Sequence, residues 1–248
     1  FTLEFTFAML SAGALLGGLG TTLLGGPWWL QILLAAAIAG LISPAEAMRL
    51  VSVRGRAMAE AAALTPTSMT AVIGGTPNDV LAAIERAGLT PANNNGRGQI
   101  VAAGTVEQLE ALTEDPPRRA RLIPLSVAGA FHTIHMEPAI SQLSAVVSEI
   151  EPEDAKFQLL SNADGERVFE GSKFLDRIVT QVANPVRWDL CMETMSKAGV
   201  TGLLELTPAG TLTGIARRNL KGVEVFALDV PDQLTEAREF VAQHAMEA

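Results

Sequence analysis

One histidine stands in a turn of small and apolar residues, an arrangement that can present a reactive side chain. Residues 127–133 read Val-Ala-Gly-Ala-Phe-His-Thr and continue the apolar run of residues 122–127. Apolar residues then recur along one helical face from Ile140 to Ile150. A strand, a tight turn, a polar residue and a helix is how α/β folds hold a reactive group at the carboxyl edge of a sheet. His132 is therefore a candidate general base, with a histidine that only hydrogen-bonds the backbone as an equal alternative.

The other histidines and the single cysteine offer less chemistry. His132-x-x-His135 is a weak metal-ligand spacing by itself, because no acidic ligand accompanies it at a convincing distance in sequence. Cys191 is the single cysteine of the sequence, which excludes an internal disulfide and a cysteine-based zinc site. We expect its side chain to act as a small buried hydrophobe. His244 lies in an acidic C-terminal segment, where we expect it to be solvated. We predict neither a bound metal nor a cofactor.

Two further side chains could act with a histidine base. Arg54 lies in a predicted helix and could bind a substrate carboxylate through two parallel hydrogen bonds. Gln181 precedes Asn184-Pro185 and could hold the second ring nitrogen of a histidine through a carbonyl oxygen. The sequence contains no Gly-x-Ser-x-Gly elbow, P-loop, Gly-x-Gly-x-x-Gly or His-Glu-x-x-His motif. The chemistry of the residues alone therefore supplies a base without an obvious nucleophile.

Composition narrows the class of protein. The 248 residues are 48% hydrophobic, which is enough for a sizeable core in one domain, with or without an insertion. There are 18 lysines and arginines against 27 aspartates and glutamates, which gives a formal net charge of -9. That balance disfavours a nucleic-acid partner and fits a soluble acidic enzyme.

The first part of the chain differs from the rest. Glu4 is the only charged residue among residues 1–42, and Trp28 and Trp29 separate two apolar runs, as at a membrane interface. Residues 5–43 are long enough to span a bilayer. We favour the alternative, a buried helix of a soluble fold preceded by a segment foreign to it, and leave the membrane reading open.

The remaining residues alternate between strand and helix patterns. Residues 67–126 predict the order strand, helix, strand, strand, helix, strand, which is the ferredoxin-like order. Residues 35–66 and 127–248 predict an α/β unit with a parallel sheet, because strands and helices alternate with short Gly/Pro turns. We expect strands at residues 69–73, 90–93, 99–103, 121–126, 156–161, 202–206 and 223–228.

Six motifs follow one another between about residue 35 and the C-terminus. They are Leu-Val-Ser-Val-Arg-Gly-Arg-Ala-Met at 50–58, Ala-Asn-Asn-Asn-Gly-Arg-Gly-Gln-Ile-Val-Ala-Ala-Gly at 92–104, Gly-Ala-Phe-His at 129–132, Leu-Ser-Asn-Ala-Asp-Gly at 160–165, Asn-Pro-Val-Arg-Trp at 184–188 and Pro-Ala-Gly-Thr-Leu-Thr-Gly at 208–214. Each motif is modest alone, but the ordered set is specific. Together they resemble one enzyme family, the malonyl-CoA:acyl-carrier-protein transacylases of bacterial fatty acid synthesis, in their actinobacterial form.

The resemblance implies a fold and an activity. The fold is an α/β-hydrolase-like large subdomain with a parallel sheet and an inserted ferredoxin-like small subdomain, which agrees with the alternation described above. The activity is a ping-pong transfer in which a serine takes malonyl from malonyl-CoA and passes it to the phosphopantetheine thiol of acyl carrier protein. The coenzyme A thioester is a substrate rather than a cofactor, and the expected location is cytoplasmic.

The resemblance also assigns roles to residues. His132 matches the histidine that activates the serine, and Gln181 matches the glutamine whose carbonyl orients that histidine. Arg54 matches the arginine that pairs with the free carboxylate of malonyl. Phe131 precedes His132, and a phenylalanine at this position resembles the motif of the malonyl-selecting members of the family.

The N-terminal part departs from the family. The family's serine lies in a Gly-His-Ser-x-Gly-Glu elbow just before the helix that starts near residue 35, where this chain reads Gly-Pro-Trp-Trp-Leu-Gln-Ile at residues 26–32. The family's Gly-Gln-Gly turn is also missing, and residues 1–34 do not match. We therefore expect little transacylase activity. The alternatives are a non-catalytic acyl-CoA or acyl-carrier binding module of the same fold and a membrane-anchored derivative.

Overall fold

The computed structural model describes residues 40–206 and 209–245, together with the backbone of residues 8–9. The helices in this part of the chain are α1 (Pro44–Ala62), α2 (Pro77–Arg86), α3 (Val106–Glu114), α4 (Pro138–Val147), α5 (Gly171–Gln181), α6 (Trp188–Lys197), α7 (Thr211–Asn219) and α8 (Leu234–His244). The strands are β1 (Ala8–Met9), β2 (Thr67–Gly74), β3 (Thr90–Asn94), β4 (Gln99–Thr105), β5 (Ala120–Pro124), β6 (Leu159–Leu160), β7 (Arg167–Val168), β8 (Val186–Arg187), β9 (Gly202–Leu206) and β10 (Glu224–Leu228).

Helix α1 begins at a reciprocal cap. The Ser43 side chain accepts a hydrogen bond from the Glu46 N–H at 3.2 Å, and the Glu46 carboxylate accepts from the Ser43 N–H at 2.8 Å. Pro44 occupies the first turn, where its missing N–H costs nothing. The buried face of the helix carries Leu50 and Arg54. The cap therefore fixes the start of the helix that delivers Arg54 to the interior.

The central sheet has the ferredoxin-like order. Strands pair as β5-β2-β4-β3, each antiparallel to its neighbour. One face of the sheet packs against α2 and α3 through a cluster that includes Val72, Ile84 and Leu112. The opposite face contributes Met69, Ala71, Val101 and Ala103 to a second cluster, which also holds Ala130 of the histidine turn. The sheet thus forms one wall beside His132.

A fifth strand joins this sheet from a distant part of the chain. Strand β8 pairs parallel with β3, with Asn93 opposite Val186 and Asn94 opposite Arg187. The Asn-Pro-Val-Arg-Trp motif is therefore a sheet edge and not only a helix start.

The rest of the fold is built from parallel pairs and helices. Strands β9 and β10 run parallel, and β6 pairs parallel with β1 and antiparallel with β7. Helices α1, α4 and α5 share one apolar core, with Leu50, Leu143 and Ile178 among its members. A separate cluster joins α6 and α7 with β9.

Two of the predicted strands differ most from the structure. The strand predicted at 121–126 ends at Pro124, and β5 is an edge strand of the antiparallel sheet. The expectation that a strand leads directly into the turn of His132 is therefore wrong. The strand predicted at 156–161 is reduced to Leu159–Leu160, and its partner β7 is equally short.

One prediction concerns the unusual N-terminal part. The possible membrane span at residues 5–43 lies almost wholly outside the described residues. Within residues 40–206 and 209–245, no helix is both long and apolar enough to cross a bilayer.

Candidate active site

Two polar side chains are buried in the same part of the core. Arg54 and His132 each keep only 3% of their surface exposed. Arg54 comes from the buried face of α1, and His132 comes from the turn that packs on the ferredoxin-like sheet. They are close enough for the positive charge of Arg54 to act on the His132 ring. The structure therefore brings together a cation and an imidazole that lie far apart in sequence.

The backbone at His132 is left-handed, with a φ of 61°. For a residue with a side chain this conformation costs about 1 kcal/mol or more, so surrounding contacts must hold it. The His132 N–H donates to the Val182 carbonyl at 3.1 Å. The turn is also tied on its other side, where the Ala130 N–H donates to the Thr67 hydroxyl at 3.0 Å. Thr67 and Val182 were not among the residues selected from sequence, because these contacts are visible only once the chain is folded.

One hydrogen bond fixes the form of the imidazole. His132 Nδ1 lies 2.8 Å from the main-chain carbonyl oxygen of Gln181. A carbonyl oxygen can only accept, so we assign the proton to Nδ1 and the lone pair to Nε2. An imidazole oriented in this way can accept a proton at Nε2, which is the requirement for a general base.

The surroundings keep His132 neutral. Burial lowers the pKa of His132 to about 4, and the charge of Arg54 acts in the same direction, although hydrogen bonds to the Gln181 and Asn184 backbone oppose the shift. The ring is therefore unprotonated at pH 7, as a base must be. Burial also lowers the pKa of Arg54 to about 9, so the guanidinium remains charged at the same pH.

Gln181 contributes through both its main chain and its side chain. Its main-chain carbonyl faces His132, whereas its Nε2 donates to the carbonyls of Asn184 at 2.8 Å and Pro185 at 2.9 Å. The sequence identified Gln181 but did not say which carbonyl would be used. The half-buried Phe131 packs between the apolar core of α1, α4 and α5 and the wall of the sheet.

The remaining candidates lie elsewhere or are inert. Burial raises the pKa of the Cys191 thiol to about 12, and its side chain is fully enclosed, as expected for a small hydrophobe. The expectation that His244 is solvated is wrong: its Nδ1 lies 3.0 Å from the Thr201 hydroxyl and its Nε2 lies 3.3 Å from Glu224. These partners are 43 and 20 residues away, beyond the reach of local pattern. The described residues include no group of three or more His, Cys, Asp or Glu placed to hold a metal.

The comparisons with known proteins agree on one family. The acyl transferase domain family matches residues 33–239. The malonyl CoA-acyl carrier protein transacylase of Mycobacterium bovis is 48% identical over 202 residues, which cover 82% of this chain and 67% of that protein. The chain thus spans about two thirds of the length of this relative.

Solved structures give the same result. The crystal structure of MCAT from Mycobacterium tuberculosis has a TM-score of 0.79 and 47% identity, covering 82% of this chain and 68% of its own. A second match is the structure of a type II polyketide synthase acyl carrier protein in complex with its malonyl-transacylase. It has a TM-score of 0.78 and 30% identity, and the match covers 85% of this chain and 70% of that chain.

The α/β fold, within which a histidine and an arginine are buried, is that of an acyl transferase domain. This chain belongs to the acyl transferase domain family, and its relatives there are malonyl CoA-acyl carrier protein transacylases. The predicted fold class is thereby confirmed.

Proposed function

We propose that this protein derives from, and binds the substrates of, a malonyl transferase that moves malonyl from coenzyme A to the phosphopantetheine thiol of acyl carrier protein in fatty acid biosynthesis. The observation that carries the proposal is the buried pair of Arg54 and His132, with His132 held in its Nδ1–H form by the Gln181 carbonyl. The relatives named malonyl CoA-acyl carrier protein transacylase support the choice of substrate.

Each candidate residue has a defined role in this proposal. Arg54 binds the free carboxylate of malonyl, because a desolvated guanidinium recognises a planar anion through paired hydrogen bonds. Where a hydroxyl nucleophile is supplied, His132 Nε2 takes its proton and returns it to the departing thiolate of coenzyme A. Gln181 orients His132. Phe131 narrows the malonyl side of the site, in keeping with its packing between two apolar clusters.

The nucleophile is the step at which this chain departs from its family. Residues 26–32 carry no serine where the family's elbow is expected. Because loss of a nucleophile costs several orders of magnitude in rate, we propose that transfer by this chain is strongly impaired. The same absence favours the second candidate function, a non-catalytic module that binds acyl-CoA or acyl carrier protein.

Calorimetry with malonyl-CoA tests binding. Replacing Arg54 by Ala removes the proposed carboxylate contact, whereas replacing Arg56 by Ala removes an exposed arginine from the same helix. We expect R54A to weaken malonyl-CoA binding at least about tenfold, since a charge-assisted bidentate contact contributes 1.5–3 kcal/mol. R56A should bind as the parent does. Equal affinity of R54A and the parent for malonyl-CoA would contradict the proposal.

A labelling experiment separates the two candidate functions. Incubation with radiolabelled malonyl-CoA, followed by denaturation, measures the covalent acyl-enzyme. We expect binding without appreciable label on the protein. A normal level of malonyl-enzyme would show that a nucleophile is present and would contradict the proposal that transfer is impaired.

The subdomain boundaries and the location follow from the same resemblance. We propose a large α/β subdomain of residues 35–66 and 127–248, a ferredoxin-like subdomain of residues 67–126 and an unrelated N-terminal segment of residues 1–34. The cytoplasmic location stays a prediction.

A further inference from the structure

The orientation of His132 depends on the end of helix α5. The last carbonyls of a helix have no partner inside it. Here the Gln181 carbonyl, on the last residue of α5, faces His132 Nδ1 at 2.8 Å, and the carbonyl of Val182, the next residue, accepts from the His132 N–H at 3.1 Å. A shift of this helix end would therefore disturb one contact of the ring and one contact of its left-handed backbone.

The helix end is in turn held by the segment that follows it. The Gln181 amide bonds to the carbonyls of Asn184 and Pro185, which fixes the turn. Strand β8 comes next and pairs with β3 over only two residues. So short a strand gains little from its ladder alone, and other contacts must keep it in place.

Asp189 supplies one group of these contacts, beside the main-chain bond from the Arg187 N–H to the Asn162 carbonyl at 2.7 Å and the burial of Val186. Its carboxylate receives two hydrogen bonds from Arg187, from Nε at 2.9 Å and from Nη2 at 2.8 Å, in a bidentate pair. The same carboxylate accepts from Asn94 Nδ2, on the last residue of β3, at 3.0 Å. Its side chain is only 21% exposed, so these charge-assisted bonds are less screened than a surface pair.

We propose that Asp189, together with Arg187 and Asn94, is a positioning clamp for His132. The clamp holds β8 on the edge of the ferredoxin-like sheet, and through Gln181 it fixes the helix end that orients the imidazole. Asp189 does not touch the site and is a positioning residue. The inference rests on the role proposed for His132, but its test requires no malonyl transfer.

The test measures the tautomer of His132 by long-range 1H–15N NMR on the full chain, with histidine signals assigned through His135→Gln and His244→Gln. Replacing Asn94 by Asp sets two carboxylates about 3 Å apart across the junction, where they repel. We expect the ratio of Nδ1–H to Nε2–H forms of His132 to fall about fivefold, the effect of losing one ordinary hydrogen bond.

A charge exchange provides the rescue. In the double variant N94D/D189N, the new amide at position 189 donates to the new carboxylate at position 94, and Arg187 keeps an acidic partner nearby. We expect the parent tautomer ratio to return. Asp115→Asn is the control, because it breaks the exposed Arg86–Asp115 ion pair of 2.9 Å, which joins the end of α2 to the end of α3 and includes no residue of this junction.

The outcomes decide the proposal. A folded N94D protein with the parent ratio would overturn it, as would a double variant that fails to restore the ratio, or a D115N protein that changes it. Should N94D not fold, Asn94→Ala removes the donor without adding charge, and an unchanged ratio in that folded variant also overturns the clamp. Failure of malonyl-CoA binding in the parent would instead count against the proposed function.

Discussion

At the scale of the residue, the chemistry of His132 is set by what surrounds it rather than by its type. Burial and the charge of Arg54 lower the pKa of His132 to about 4, and the Gln181 carbonyl selects the nitrogen that keeps the proton. A histidine in water would be partly charged near neutrality. The same side chain is here a neutral base, and this state has a cost that can be measured.

That cost appears as a dependence of stability on pH. The unfolded chain has a His132 pKa near 6.5 and the folded chain a value of about 4, so between these values the unfolded state binds more protons. The free energy of unfolding should therefore fall as pH drops from about 6.5 to 4, with His132 responsible for about 3 kcal/mol. Denaturant unfolding of the parent and of His132→Asn across this range measures the difference. Asn tolerates the left-handed backbone, so the variant should lose this part of the pH dependence and retain the rest.

The influence of Arg54 on His132 can be tested directly. Replacing Arg54 by Met keeps an apolar stem of similar length but removes the charge, so the pKa of His132 should rise. It should stay below its usual value, because burial is the larger cause of the shift. An NMR titration of the His132 ring measures the change, and Arg56→Met should leave the titration unaltered. A lower pKa of His132 in R54M would contradict this account.

At the scale of the element, the sequence was sufficient to predict a helix or strand where its local pattern agrees with the burial seen in the structure. Strand β9 was predicted at its observed residues 202–206. The two-residue strand β8 could not be delimited, because its partner β3 is remote in sequence. The end of β5 at Pro124 was missed because the apolar pattern continues past it.

Helix α7 begins at a buried carboxylate of the strand that precedes it in the chain. Glu205, on β9, is 3% exposed and accepts hydrogen bonds from the N–H groups of Gly210, Leu212 and Thr213 at 2.8–2.9 Å, at the start of that helix. Glu205→Ala leaves these donors without their acceptor and should lower the free energy of unfolding by about 3–5 kcal/mol.

Denaturant unfolding measures this loss. Glu46→Ala provides the comparison, because Glu46 is an exposed carboxylate at the start of α1 and its loss should have a much smaller effect. Equal losses in the two variants would show that burial of Glu205 is not what makes its bonds important.

The candidate site was partly predictable for the same reasons. Residue type and motif pointed to His132, Arg54 and Gln181, and the fold brings these three together. Position-specific details were not predictable, such as the use of the Gln181 main chain and the support of the turn by Thr67. These contacts join segments that only the tertiary structure brings together. The catalytic roles themselves stay predictions until they are measured.

At the scale of the whole molecule, positive charge is concentrated at one end of the ferredoxin-like sheet, although the chain as a whole is acidic. We call this surface the basic edge. Its members are all exposed and belong to the loop between β3 and β4, the start of β5 and the end of α7: Arg97, Arg118, Arg119, Arg121, Arg217, Arg218 and Lys221. Contacts join the three stretches. The Gly74 N–H donates to the Gly98 carbonyl at 2.9 Å, and the Gly75 N–H donates to the Arg119 carbonyl at 3.0 Å. The Arg97 N–H donates to the Asn219 side-chain oxygen at 2.7 Å.

The basic edge should speed the encounter with an anionic partner. Coenzyme A and the phosphopantetheine of a carrier protein both carry phosphate, which arginine binds well. Reversing Arg119 and Arg217 to Glu should slow association with holo-acyl carrier protein about tenfold and flatten its dependence on ionic strength, while dissociation changes less. Surface plasmon resonance at low and high salt measures both rates.

Arg238→Glu with Lys173→Glu makes the same change in net charge away from the basic edge and is the matched control. Should the two double variants associate at equal rates, net charge rather than its placement would govern the encounter. A slower rate in the R119E/R217E protein alone would locate the approach of the carrier protein at the basic edge, where the Arg218 side chain donates to Gln99 at the start of β4. The sheet that forms one wall beside His132 would then also receive the partner that carries the acceptor thiol.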